Sequence, residues 1–183
     1  LYFDSPEMIF LQEKIEGDAI RKKVRIRSYT NVHNNNLFLE IKSKKYDRIG
    51  KDRQMITCAE YEQFRKSDLQ FLLNNTSENS AFQGDVYSLY NYYNLAPVIL
   101  IKYKRFSFID DLANCKVTFD FDLRYKKTDE LFTNDFSHDI LSNGAIMEFK
   151  FEKMIPWYFA DLVKQKELSR IAYSKYSNTY LDQ

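Results

Sequence analysis

The stretch "KKVRIRSY", residues 22–29, sets Lys23, Arg25 and Arg27 on one side of a strand pattern, with Val24 and Ile26 on the other. At the ~6.7 Å same-face repeat of a strand, two like charges repel by roughly 2 kcal/mol at an effective dielectric near 20. An anion held against that face would relieve the repulsion. Arginine offers a planar fork that matches two phosphate oxygens, and lysine offers a point charge. A mixed set therefore suits a chain of phosphates better than a single carboxylate. The chain has four glycines and neither a GxxxxGK nor a GxGxxG motif, so side chains must do the work that backbone amides do in a phosphate loop.

Other cations follow the same pattern. In "NLFLEIKSKKY", Phe38, Glu40, Lys42 and Lys44 share one face and Leu37, Leu39 and Ile41 the other; "GKDRQMI" places Lys51 and Arg53 two apart. "YKR" puts Tyr103 and Arg105 on the face of Ile99 and Ile101, an odd place for an arginine unless that face ends in a pocket. Glu148 or Glu40 within such a set would serve poorly as a phosphate ligand. Either could ligate Mg²⁺ or Mn²⁺, which take one or two carboxylates and complete their shell with water and phosphate oxygens; a salt bridge to a neighbouring cation is the equal alternative. His33 and His138 fall in Asn-, Ser- and Asp-rich segments that read as solvated loops, and no Ser-His-Asp or Cys-His arrangement is visible. Phosphoryl transfer needs neither, since positioning and charge neutralisation do most of its catalysis.

The elements that would carry these residues are mostly strands. "VILIKYKRFSFI", "CKVTFDFDLRYKK" and "AIMEFKFEKM" join the three above; in the second, Val117, Phe119, Phe121 and Leu123 alternate with Lys116, Thr118, Asp120, Asp122 and Arg124. Helices are expected at Ser5–Gly17, with Ser5 as N-cap and Gly17 as stop, and at "TCAEYEQFRKSDLQFLLNN", where Thr57 and Glu60 form a capping box ahead of Tyr61, Phe64 and Leu72. Val86, Leu89, Tyr90 and Tyr93 mark another helical face, and the tail from Pro156 reads as helical with Trp157, Leu162 and Leu168 as apolar anchors.

At 183 residues and 22.0 kDa, the chain is expected to be one domain over 1–183. The 27 basic and 26 acidic residues nearly cancel, which gives no support to a general polyanion-coating or nucleic-acid role. Cys58 and Cys115 form no metal or redox spacing and read as reduced thiols, natural in a reducing cytoplasm. No apolar run approaches the ~18 residues of a membrane span. Two architectures satisfy the alternation: a sheet with its charged face in water, or a barrel with that face inward and helices over its apolar exterior. Alternation alone favours the first; the wealth of Arg, Lys and Glu on the polar faces, the placement of Arg105 and the aromatic helices point towards the second without displacing it.

The order "YFDSPEM", "KVRIRSY", "LFLEIKSK", "PVILIKYKRF", "KVTFDFD", "IMEFKFE…PWYF" and "YSKYSN" resembles, nearly end to end, the polyphosphate polymerase domain of the vacuolar transporter chaperone (VTC) family, a branch of the triphosphate tunnel metalloenzymes. The resemblance implies an α+β fold dominated by antiparallel strands, a β-tunnel with a charged interior flanked by helices. It also implies binding of ATP, triphosphate or polyphosphate, and transfer of the γ-phosphoryl group to a growing polyphosphate chain with Mn²⁺ or Mg²⁺. Position by position, it assigns the RxR motif to Arg25 and Arg27, the strand lysine to Lys42, and the next basic strand to Lys51 and Arg53. It further assigns Tyr103 and Arg105, Glu148 and Lys150, and Ser174 and Lys175. Glu148 is the implied metal ligand and the cations the phosphate clamps, with Arg25, Arg27, Lys42, Arg105 and Lys150 nearest the chemistry. Lys116 stands where relatives tend to carry arginine, and the family usually opens with a further basic strand that would precede this chain. A triphosphatase and a non-catalytic polyphosphate-binding module are the alternatives.

Overall fold

The computed structural model describes residues 1–30, 37–66, 69, 80–136, 138–141 and 144–181. Antiparallel strands dominate an α+β chain with eight strands and five helices among these residues. The chain forms two compact units, Leu1–Ile101 with Lys126–Phe136, and Lys102–Tyr125 with Ser137–Gln183.

The first unit contains β1 (Tyr2–Asp4), α1 (Ile9–Glu16), β2 (Ile20–Arg27), β3 (Leu37–Lys45), β4 (Arg48–Ile56), α2 (Cys58–Arg65), α3 (Ser80–Tyr93) and the start of β5 (Ala96–Asp110). Its strands run β4-β3-β2-β1-β5. The β2–β3 and β3–β4 ladders keep one register throughout, so the alternation read from the sequence is preserved rung by rung. Val24, Ile26, Leu37, Leu39, Ile41 and Ile56 are buried on the apolar face, each contributing roughly 1.5–3 kcal/mol of burial free energy. Phe10, Phe64, Val86 and Leu89 of the helices complete this core. Phe64 meets Phe3 and Tyr90 edge to face, each pair with centroids 5.0 Å apart.

The capping box at Thr57 is formed, with Glu60 N donating to Thr57 Oγ1 and Thr57 N to Glu60 Oε2. The start of α1 differs from expectation. Asp4, fully buried at the end of β1, accepts from the amides of Phe10 and Leu11 at 2.9 and 3.0 Å, and Ser5 Oγ accepts from Ile9 N at 3.1 Å. The helix therefore begins at Ile9, with its orphan donors satisfied from the preceding strand. Gly17 closes it in the left-handed region, φ 82°, as read from the sequence. Leu72 and His33 lie outside the described residues.

The second unit contains the rest of β5, β6 (Cys115–Lys126, but for its last residue), β7 (His138–Leu141), β8 (Ile146–Phe151), α4 (Trp157–Gln165) and α5 (Lys175–Leu181). One edge of β6 pairs with β8 over Cys115–Asp120 and with β7 over Leu123–Tyr125. Asp122 sits between these stretches in the left-handed region, φ 52°, and breaks the alternation there. Before it, Thr118 and Asp120 are more buried than Phe119 and Phe121; after it, Leu123 and Tyr125 are the buried positions. His138 opens a strand and stacks on Tyr125, a correction to its reading as a loop residue. The tail carries two helices, α4 and α5, with residues 166–174 in neither; Trp157 is 75% exposed, Leu162 and Leu168 also face outward, and α4 buries no residue, so these three are not anchors. Phe159 meets Phe149 instead, and Tyr158 donates its hydroxyl to Asp110.

The expected closure into a tunnel is not shown. Among the described residues β4 pairs with β3 alone, and the second unit's path ends at β7 without returning, so the sheet is open. Alternation fixes which face each residue takes, whereas closure depends on pairing between strands remote in sequence. No helix of the described residues is long and apolar enough to cross a membrane.

Candidate functional site

Register assembles the first unit's charged face into four rungs. Arg21, Lys44 and Ile49 form one, Lys23, Lys42 and Lys51 the next, then Arg25, Glu40 and Arg53, and finally Arg27, Phe38 and Met55. Tyr2 extends the third rung through β1, opposite Arg25. Eight cations thus share a face of three strands with one carboxylate, and that carboxylate is buried.

Glu40 organises the centre of this face. Arg25 donates to Glu40 Oε2 from Nε at 2.8 Å and approaches it with Nη2 at 2.7 Å, while its Nη1 donates to the Tyr2 hydroxyl at 3.1 Å. Lys51 Nζ lies 2.6 Å from Glu40 Oε1 as an ion pair, directed so that this oxygen lacks an aligned hydrogen bond. Burial would push the Glu40 carboxyl up, but Arg25 and Lys51 outweigh it and hold the group below the usual carboxylate range. Burial likewise opposes the charge of Arg25, and Tyr2 and Glu40 more than offset that. Glu40 is therefore a counter-ion, and of its two readings from the sequence the salt bridge is the one formed.

The neighbouring cations are held differently. Arg27 lies over the Tyr29 ring at 4.6 Å and Arg53 over Phe38 at 5.0 Å, contacts that orient a guanidinium without consuming its donors. Lys23 is lowered to about 7, first by burial and then by Lys14, Lys42, Arg21 and Arg25.

The second unit repeats the arrangement with other elements. Asp120 of β6, 2% exposed at its side chain, accepts from Arg105 Nε at Oδ1 and from Arg105 Nη2 at Oδ2, the latter at 2.6 Å. Lys175, the first residue of α5, reaches the same Oδ2 at 2.5 Å. Both cations lie over the Tyr103 ring, at 5.4 and 4.8 Å. Burial would raise the Asp120 carboxyl, yet these two cations hold it below its ordinary value. Tyr103, Arg105 and Lys175 thus meet at an aspartate that the sequence analysis passed over as one more polar position of an alternating strand. Ser174 sits one residue before, buried, its Oγ accepting from Ser177 N at 3.3 Å as a cap for the short α5.

Lys116 and Lys150 stand opposite each other across β6 and β8, and Thr118 opposite Glu148 on the same face. Glu148 is half-exposed, 3.7 Å from Lys150 Nζ. Thr118 Oγ1 is buried with no hydrogen-bond partner among the described residues. Among those residues no three acidic, histidine or cysteine side chains converge, so a complete protein cage for a metal is not built. One accessible carboxylate opposite one unsatisfied hydroxyl does fit a hard divalent ion that takes the rest of its shell from phosphate and water.

The chain has no match among curated proteins. The family model described as the VTC domain matches residues 1–182. With cation-lined antiparallel strands carrying the motifs in family order, the chain belongs to the VTC domain family, which is associated with polyphosphate metabolism.

Proposed function

We propose that this chain is a metal-dependent polyphosphate polymerase domain that binds ATP and polyphosphate by their phosphates and moves the γ-phosphoryl group onto the chain end. The observation that carries the reading is the face of β2–β4, where the ladder register gathers eight cations and one buried carboxylate on a single surface. A terminal oxygen of the acceptor chain attacks the γ-phosphorus, the bond from that phosphorus to the β–γ bridging oxygen breaks, and ADP leaves. Arg25, Arg27 and Lys42 of the first unit and, separately, Arg105 and Lys150 of the second are assigned to phosphoryl groups, where fixed positive charge offsets the charge that builds on the oxygens during transfer. Lys51, Arg53, Tyr103, Lys116, Ser174 and Lys175 are assigned to the flanking phosphates. Glu148, with the Thr118 hydroxyl opposite it, would hold Mn²⁺ or Mg²⁺, which when bound supplies charge neutralisation between phosphate oxygens.

Incubation with ATP and Mn²⁺ tests the reading: long phosphate chains support it, release of free phosphate points to a triphosphatase, and retained polyphosphate without product points to a binding module. Glu148→Gln is expected to abolish turnover while leaving polyphosphate retention largely intact; unchanged turnover would remove the metal role from Glu148.

A further inference from the structure

In each unit a carboxylate sits behind the cations it pairs with. The Glu40 side chain is 1% exposed while its partners Arg25 and Lys51 are 23% and 39% exposed; Asp120 is 2% exposed behind Arg105 at 26% and Lys175 at 16%. A ligand approaching either cluster meets the cations first. Each carboxylate also takes both an arginine and a lysine, the pairing a phosphoryl group would make.

We propose that Glu40 and Asp120 are internal counter-anions, positioning residues that hold the phosphate-binding cations in place when no phosphate is bound and thereby limit how tightly phosphate binds. The inference rests on the proposed phosphate-binding function and adds a setting of affinity to it. Without Glu40 the like charges of Arg25, Lys51 and Arg53 lose a counter-charge that two of them contact, so the empty protein loses stability. With the carboxylates in place, part of the cations' attraction is already spent before a phosphate arrives. A carboxylate that only supports the fold would lower stability and leave binding unchanged or weaker; a counter-anion lowers stability and strengthens binding.

Glu40→Gln and Asp120→Asn test this, because each amide removes the charge and keeps one oxygen to accept from the arginine, the other oxygen becoming an NH2 donor. Binding of inorganic tripolyphosphate without metal is measured by calorimetry, together with the thermal midpoint of each protein against tripolyphosphate concentration. Each variant is expected to bind at least about tenfold tighter, the effect of removing one unit charge about 6 Å from a single unit charge of the ligand at an effective dielectric near 40. Its midpoint falls without ligand and recovers with it, even for a variant that folds only when tripolyphosphate is present. Wild type that binds tripolyphosphate, with variants that bind equally or more weakly, overturns the counter-anion role and leaves the functional reading standing. Variants that stay unfolded at saturating tripolyphosphate overturn it as well. Wild type that does not bind tripolyphosphate overturns the functional reading itself, and this inference with it.

Discussion

Glu40 and Asp120 hold an arginine and a lysine each, but they rest on unlike supports. In the first unit the partners come from adjacent strands in continuous register, and the opposite face of those strands is covered by Phe10, Phe64, Val86 and Leu89. In the second unit Lys175 comes from a seven-residue helix, α4 buries no residue, and Phe106, Phe108, Phe151 and Trp157 are exposed. Ladder hydrogen bonds and a packed core fix the first cluster, whereas the second also depends on how α5 is seated, through buried Tyr176 and Thr179. Similar charge clusters thus require different amounts of hydrophobic support, depending on whether their members are neighbours in a ladder.

The largest expected effect tests that support. Phe64→Ala removes a fully buried ring with two edge-to-face partners and should cost about 4 kcal/mol of unfolding free energy in urea titrations. Trp157→Ala, at a 75% exposed position, should change it by less than about 0.5 kcal/mol. Comparable losses at the two positions would break the contrast between the units.

Arg25→Ala comes next. From the sequence alone, removal of a crowded cation should leave the fold intact or even stabilise it. The structure reverses that expectation, because the buried Glu40 carboxylate would keep only Lys51, which lies 39% exposed. Leaving a buried charge half-partnered costs about 3 kcal/mol. Chemical denaturation of the variant at neutral pH checks this, and a stability equal to wild type would show that Lys51 and water compensate fully.

A pH profile separates the lysine rung from the carboxylates. Lys23 is held at about 7 in the folded chain, below its unfolded value, so between roughly pH 7 and 10 the unfolded state binds more protons. Stability should therefore rise with pH across that window, and Lys23→Met should remove the rise. Glu40 and Asp120 act at the other end: both are depressed on folding, so their contribution is present above the unfolded carboxylate range near pH 4 and fades as pH falls through it. A profile flat from pH 7 to 10 in wild type would mean that Lys23 keeps its proton in the folded state.

The rungs of β2–β4 were legible in the sequence because side-chain parity in a ladder follows from alternation alone, and the charged set Arg25, Arg27, Lys42, Lys51 and Arg53 shares one face as read. Glycine at 17 and the Thr57 box were legible because each is local. Asp120 was not. Its arginine is fifteen positions away and its lysine far along the chain, and a single aspartate in an alternating strand carries no mark of burial. Asp122 misled in the other direction, since its left-handed backbone ends an alternation that the letters continue through Leu123 and Arg124. Closure was illegible for the same reason as Asp120: it depends on which distant strands pair.

The smallest expected effect sharpens the comparison at a single oxygen. On the first unit's charged face Lys51 lies against Glu40 Oε1, but on the second unit's β6 the Thr118 hydroxyl is buried with no partner among the described residues. An unsatisfied buried hydroxyl costs about 1–3 kcal/mol, and valine fills nearly the same volume without it. Thr118→Val should therefore leave the ligand-free fold unchanged or stabilise it by about 1 kcal/mol. If the hydroxyl serves the site opposite Glu148, the same substitution should lower Mn²⁺-dependent polyphosphate synthesis while metal-free tripolyphosphate binding stays at the wild-type level. Stabilisation with full activity would make Thr118 a residue tolerated by the fold and unused by the chemistry. Loss of stability would instead mean that its oxygen already has a partner in the folded chain, and the donor pair proposed for the metal would reduce to Glu148 alone.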